Sequence, residues 1–436
     1  MYFKWIDFVL SYSAAQLLKV AKSAEKLGKT SAAFDAYSEV LKNFPSNKAA
    51  LKRRFDLDLL RQRDPKTKSK ADLEYEAIEK KMEIGVSDLT KLDLEKFIYE
   101  NPSVTFVYPI YAKLFAREET LRFVARLRCL LENTKKPIHR YHLLKALYIC
   151  EKREGHFSNA FKYLKKANDI RRSYIKLDPE RDERGIKLIK KKFIEFGDTS
   201  IFCTAKFDQQ FIFIIGMPRS GTTLIEQTVC NAKGVASVGE VRFAAQFISQ
   251  TDLRDDLKAI CEKLSSFYVG KIQKYKLSEN YIIDKMPFNL FWVGFLAISF
   301  PNAKFIHCKR DARATCWSNY ETSFSEGNEC SFKLDEIVRH YNLCEKTMRF
   351  WKSRFPDRIF TLNYEAFTEN PEIIGSNLFD FLQMAWKQEY LDVKKNKRPV
   401  KTASQLQVKK EIYKGSSQIW KNFAPFIGKA FQPLID

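Results

Sequence analysis

The chain has 436 residues, with 75 Lys plus Arg against 53 Asp plus Glu and a formal charge of +22. Hydrophobic residues make up 45% and charged residues 29%, with only 15 Gly and 14 Pro. That balance excludes a wholly disordered, collagenous or low-complexity chain, and the length suits two or three domains. The positive excess points to an anionic partner, whether nucleic acid, a membrane surface or a phosphorylated small molecule. The nine cysteines are odd in number and widely spaced, without a CxxC pair, so neither a zinc site nor a disulfide framework is drawn from them. They read as small buried hydrophobes in a reducing compartment. Met1 to Ala15 is apolar but carries Lys4 and Asp7, a poor signal peptide. No uncharged stretch approaches the ~20 apolar residues of a membrane helix. The expectation is a soluble, cytoplasmic chain.

From Ser13 to about Lys192 the apolar spacing is helical, with Gly and Pro as punctuation. Gly28, Ala33, Tyr37, Val40 and Pro45 fall at the offsets of the second helix of a tetratricopeptide repeat, preceded by Leu17, Val20, Ala21 and Ala24. A second copy is visible at Gly155, Ala160, Leu164 and Ala167, without the closing proline. The reading is an all-α, tetratricopeptide-like domain over residues 1–200, of the kind that presents a concave surface to another chain. A generic helical bundle accounts for the same spacing. The basic run Lys187–Lys192 reads as a solvated helix face, because the aromatic and Arg interleaving of a single-strand binder is absent. No catalytic constellation precedes residue 200.

The texture then changes. Phe211–Ile215 (FIFII) is a short apolar run suited to a buried parallel strand. Gly216–Thr223 (GMPRSGTT) follows at once, and Leu224–Val229 is helical in pattern. Strand, glycine loop and helix are the context of a phosphate cradle. The two glycines permit backbone angles closed to other residues, and loop amides point inward beside a helix N-terminus. A nucleotide triphosphatase loop reads GxxxxGK[ST]; here Thr222 stands at the lysine position, and Arg219 supplies a planar donor fork instead. Further on, Lys304–Cys308 (KFIHC) reads as a second buried strand ending at Arg310, with Ser318 on the next helix. A strand-end arginine and a hydroxyl on the following helix make a two-sided anion clamp.

The string GMPRSGTT resembles the 5′-phosphosulfate loop of sulfotransferases that use 3′-phosphoadenosine 5′-phosphosulfate (PAPS). It is most similar to the branch containing the tyrosylprotein sulfotransferases and the bacterial sulfotransferases with tetratricopeptide repeats. The resemblance covers 205–436 and implies a P-loop-like α/β domain, a parallel sheet flanked by helices, after the helical one. It further implies that Arg219, Ser220, Gly221, Thr222 and Thr223 hold the 5′-phosphosulfate, and that Arg310 and Ser318 hold the 3′-phosphate. Glu240, in Val238–Phe243, matches the family's general base. Lys285, in Asp284–Pro287 (DKMP), matches the lysine beside the bridging oxygen and the sulfuryl group. Tyr364, in Leu362–Phe367, matches a recurring strand-to-helix segment beside the adenosine. Thr402–Lys409 and Ser416–Trp420 resemble the closing nucleotide-contact segment, where Ser404 and Lys409 are the nominated residues. Ala312 stands where relatives usually have proline, and Lys409 where bacterial relatives usually have arginine.

The reaction so implied is sulfuryl transfer from PAPS to an acceptor hydroxyl, of a protein tyrosine or a carbohydrate, with no metal required. Glu240 takes the proton, while Arg219 and Lys285 neutralise the charge. The partners are PAPS, its product, and an acceptor docked on the helical repeats; nucleic acid is not among them. Two other readings stay open. One is a P-loop kinase or phosphotransferase, for which Asp284 is the sole Walker-B candidate. The other is a non-enzymatic repeat scaffold.

Overall fold

In the computed structural model the described residues are 18–19, 21–24, 33, 36–38, 40, 50, 53, 70–84, 87–114, 120–175, 177–178, 180–197, 209–324, 327–393 and 415–435. They divide into two compact units: 1–177 with 325–333, and 178–324 with 334–436.

The first unit is helical. Among the described residues its helices include α1 (Lys70–Ile84), α2 (Asp88–Glu100), α3 (Tyr108–Leu114), α4 (Thr120–Asn133), α5 (Pro137–Arg153) and α6 (Phe157–Ser173). Local rules explain their ends. Ser87 and Thr90 close a reciprocal capping box on α2. Pro137 opens α5 at a position whose amide needs no partner, and Gly155, at φ +80°, turns the chain into α6. The small-residue stripe expected of a close helix pair is buried: Ala160, Leu164 and Ala167 are fully enclosed, and α6 packs along α5. Ala21, Ala33, Tyr37 and Val40 likewise share a buried cluster with Ala50. Leu17, Val20, Gly28 and Pro45 lie outside the described residues. No described helix is long and apolar enough to cross a membrane.

The second unit begins with α7 (Arg181–Phe196), so the chain divides ahead of residue 200, where the change of texture falls. The cause is packing. Ile186, Ile189 and Phe193 form one apolar stripe on α7. Phe193 meets Phe295 and Trp351 edge to face at 5.1 and 4.9 Å. The basic run on this helix is more than a solvated face, since Lys190 and Lys192 donate to the carbonyls of Lys346 and Asp255.

After α7 come β1 (Gln210–Gly216), α8 (Thr222–Cys230), β2 (Val235–Gly239), α9 (Phe243–Ile248), α10 (Leu257–Ile272) and β3 (Tyr281–Asp284). They are followed by α11 (Val293–Ser299), β4 (Lys304–Lys309), α12 (Ala312–Glu321), α13 (Leu334–Arg354), β5 (Ile359–Asn363), α14 (Tyr364–Glu369), α15 (Pro371–Leu382) and α16 (Ala424–Phe431). A 3₁₀ segment, Ser416–Phe423, precedes α16. The five strands form one parallel sheet in the order β2-β3-β1-β4-β5, flanked by helices as the sequence predicts.

Phe211 to Ile215 are buried throughout, which is why β1 reads as a continuous apolar run. Successive residues face opposite sides. Ile212 and Ile214 join Ile225, Ile306, Leu362 and Leu378. Phe211 meets Tyr268 edge to face and Phe300 at a tilt, and Phe213 stacks on Phe305. The register sets Gly216 of β1 opposite Cys308 of β4, and Phe213 opposite Asp284 of β3. Residues 216–221, 285 and 310 therefore all leave the same, C-terminal edge of the sheet, the edge at which parallel α/β sheets present their ligand crevices.

Gly294 on α11 has no room for a side chain: an added Cβ would stand 2.5 Å from the Trp351 ring and 2.6 Å from Phe193. Gly294→Ala should therefore destabilise the protein by ~1–3 kcal/mol through overpacking, despite alanine's better helix propensity. Thermal unfolding checks it, and an unchanged or raised Tm would mean that the rings yield.

Candidate active site

The loop after β1 is shaped by backbone angles that its residue types dictate. Gly216 sits at φ +144°, and a Cβ there would lie 2.5 Å from the Cys308 carbonyl. Gly221, at φ +99°, faces the Tyr364 ring at a distance that admits no Cβ. Arg219 holds a left-handed φ of +71° without being glycine, a conformation that costs ~1–3 kcal/mol and persists where its surroundings over-determine it. Those surroundings are an arginine and a hydroxyl. The Arg219 carbonyl accepts from Arg310 Nη1 at 3.0 Å, and its own Nε donates to Ser318 Oγ at 3.1 Å. Asn319 donates to the Pro218 carbonyl at 2.8 Å, pinning the loop from α12. Helix α8 starts from Gly221 without a side-chain cap, and a helix start is the end that favours an anion. Ser220, Thr222 and Thr223 are buried there, and Ser220 Oγ has no partner among the described residues. A buried orphan hydroxyl beside an uncapped helix start suits an anion with several acceptor oxygens.

Arg310 follows β4 and is buried. Its Nε donates to Ser417 Oγ at 3.0 Å, and its guanidinium lies over the Tyr364 ring at 5.1 Å. Ser417 donates to Glu365, which also accepts from the Asp311 amide at 3.2 Å. Tyr364 Oη and Ser416 Oγ are 3.1 Å apart. Burial pulls the guanidinium groups of Arg219 and Arg310 below their usual values. These two cations are costly to hide, and an anion between them would recover part of that cost.

A second group lies at the end of β3. Lys285 is entirely buried, yet its ammonium donates to Glu240, whose side chain is 40% exposed. Glu226 Oε2 of α8 stands 3.7 Å from the same ammonium, with its side chain 8% exposed. Its other oxygen accepts from Ser237 Oγ of β2 at 2.6 Å. Burial raises the Glu226 carboxyl above the ordinary range, against the pull of Lys285 and the Ser237 hydroxyl. Glu226 lies four residues after Thr222 and three after Thr223, hence one helical turn behind the loop on the same face. Asp284, the neighbour of Lys285, faces the aromatic side of the sheet. There it accepts from Tyr268 Oη and from Asn289 Nδ2. Burial raises it to about 7.

Of the residues predicted from sequence, Arg219, Ser220, Gly221, Thr222, Thr223, Arg310, Ser318 and Tyr364 form one connected cluster. Glu240 and Lys285 form an ion pair tied to the same helix through Glu226. Ser404 and Lys409 lie outside the described residues. Sequence reasoning passed over Glu226, Glu365 and Ser417. An acid inside the apolar Leu224–Val229 pattern is a signal for the first. Ser417 falls in the Ser416–Trp420 segment whose resemblance was noted, but nothing local links it to Arg310 or Glu365.

Residues 211–388 match the model of the Sulfotransferase family. An uncharacterized protein of Aquifex aeolicus (strain VF5) is 31% identical over 310 residues, which cover 66% of this chain and 40% of that protein. Protein-tyrosine sulfotransferase 1 of Danio rerio is 26% identical over 198 residues, covering 42% of this chain and 56% of that protein. The chain thus spans about half the length, or less, of these two relatives. Among solved structures, the sulfotransferase domain from the Synechococcus PCC 7002 olefin synthase superposes with a TM-score of 0.39 at 18% identity, over 50% of this chain and 90% of that one.

The raised Asp284 carboxyl has a consequence for stability. Its folded value of about 7 exceeds the unfolded value of 3.8, so its contribution to stability is complete below pH 4 and lost as pH rises through 7. Asp284→Asn keeps an acceptor for Tyr268 but cannot ionise. Relative to wild type, it should therefore be less stable or equal at pH 5 and gain between pH 5 and pH 8, as read by urea unfolding at both values. A difference independent of pH would contradict the assignment.

Proposed function

We propose that the chain is a sulfotransferase that moves a sulfuryl group from PAPS to an acceptor hydroxyl. The observation that carries this reading is the Glu240–Lys285 ion pair, tied through Glu226 to the helix that opens the loop of 216–221. Together they supply a proton acceptor, a cation and an anion cradle. The match of residues 211–388 to the Sulfotransferase family supports the same conclusion.

In this reading the loop amides of 219–223, the Ser220 hydroxyl and those of Thr222 and Thr223 receive the 5′-phosphosulfate. Arg310 and Ser318 receive the 3′-phosphate, and Tyr364 offers a ring face to the adenosine. Ser417, Ser404 and Lys409 close the nucleotide site. Glu240, the solvent-accessible member of the pair, takes the acceptor's O–H proton as the acceptor oxygen attacks sulfur. The sulfur–oxygen bond to the 5′-phosphate breaks in line, leaving its electron pair on the phosphate oxygen. Protonation of Glu240 weakens its hold on the Lys285 ammonium just as that oxygen gains charge. Lys285 and Arg219 then stabilise the leaving phosphate as fixed donors. No metal enters this scheme.

Two further points extend the reading. The resemblance to protein-tyrosine sulfotransferases favours a tyrosine hydroxyl as acceptor, with a carbohydrate hydroxyl as the other class. The helical unit, read as tetratricopeptide-like, would dock that acceptor, and the chain would work in the cytoplasm.

Isothermal titration with adenosine 3′,5′-bisphosphate, adenosine 5′-monophosphate and ATP–Mg²⁺ tests the donor. The bisphosphate should bind in the micromolar range, and Arg310→Ala should weaken it ~10–100-fold, the scale of lost charge-assisted hydrogen bonds. A preference for ATP–Mg²⁺ would overturn the reading in favour of a phosphotransferase. With labelled PAPS and tyrosine-peptide or oligosaccharide acceptors, Glu240→Gln should lower turnover ~10²–10⁴-fold while still binding the bisphosphate. Full activity of that variant at saturating donor would remove Glu240 from the role of base.

A further inference from the structure

Lys285 has two carboxylate neighbours, and the mechanism above uses one. Glu240 is partly exposed and bonded to the ammonium, whereas Glu226 is buried at 3.7 Å from it and held in place by Ser237. A fully buried ammonium with a single carboxylate partner would be stranded when that carboxylate took a proton, and an isolated buried charge is strongly destabilising. The second carboxylate answers this problem. It comes from α8, the helix that opens the phosphate loop, and the hydroxyl that orients it comes from β2.

We propose that Glu226 is a positioning residue for this chemistry: it seats Lys285 at the phosphate loop and remains its counter-charge once Glu240 has taken the acceptor's proton. The proposal rests on the sulfuryl-transfer reading. With both carboxylates ionised the group carries one net negative charge; one proton on Glu240 makes it neutral. With glutamine at 226 the same proton would take the group from neutral to positive, which a buried site resists. Glu226 thus offsets the buried ammonium without touching the acceptor. The charged or titratable groups facing Glu226 are Lys285 and Glu240, while Asp284 lies on the aromatic side of the sheet and is itself raised to about 7, in part by Glu226. Glu240 pushes the Glu226 carboxyl up and Lys285 pulls it down, so an arriving anion adds to the first effect and favours uptake of a proton.

Titration with adenosine 3′,5′-bisphosphate reads this directly, because it needs no acceptor. The full chain and Glu226→Gln are titrated between pH 5.5 and 8.5 in buffers of different ionisation enthalpy, giving affinity and protons taken up. Wild type should take up protons on binding. Glu226→Gln should lose most of that uptake and bind roughly three- to tenfold more tightly where the wild-type uptake is largest, since one negative charge beside the anion is gone. Glu226→Asp, which keeps the charge, should restore the uptake. Weaker binding by Glu226→Gln with unchanged uptake would mark a packing role and overturn the proposal, as would equal affinity and uptake in both proteins. Those results leave sulfuryl transfer standing; a wild type that does not bind the bisphosphate overturns both. Should Glu226→Gln fail to fold, Ser237→Ala loosens the same carboxylate and must move both quantities in the same direction by less, or the proposal falls.

Discussion

The site depends on one close approach. Gly216 ends β1 opposite Cys308 of β4 so tightly that a methyl group would run into the Cys308 carbonyl. Without that approach the loop could not lie against the residue that follows β4. Because it does, Arg310 reaches the carbonyl of Arg219, and the strained left-handed turn at Arg219 is held by the residue just past another strand. Parallel pairing also brings the end of β3 to the same edge, and with it Lys285.

The second constraint is electrostatic. Arg219, Arg310 and Lys285 are ionised groups held largely out of water, and each carries a desolvation cost. The protein meets that cost differently at each place. Arg310 finds a carbonyl, a serine hydroxyl and an aromatic face; Lys285 finds two carboxylates. The arginine side is thereby left electropositive and the lysine side net negative. Two opposite fields thus lie within one unit of the chain.

Much of this was legible residue by residue. FIFII followed by GMPRSGTT identifies a buried parallel strand running into an anion loop, since a strand enclosed on both faces has no need of polar alternation and the glycines answer to backbone angle. Arg310 and Ser318 stood out as a strand-end arginine and a hydroxyl on the next helix, while Glu240 and Lys285 were singled out by the resemblance to sulfotransferases. Glu226 was not. In the sequence it is one acid in an amphipathic-looking helix, and only the turn of α8 toward β2 and β3 shows that its face is buried. The place of α7 in the second unit was hidden for a related reason. The apolar stripe of α7 is plain in the sequence, but the surface it covers, Phe295 and Trp351, lies more than a hundred residues downstream.

By itself, then, the sequence determined the kinds of element, the loop that would receive an anion and the side chains able to do chemistry there. The elements and the loop follow from periodicity and from backbone angles that only certain residues adopt, and the side chains from the resemblance of short motifs to those of sulfotransferases. Tertiary structure alone decided which charges share a burial environment. Glu226 meets Lys285 59 positions later in the chain, and Arg310 meets Ser417 107 positions later. Such pairings are set by strand order and register rather than by local spacing. The cost of burying an ion depends on what faces it, and no local pattern records that.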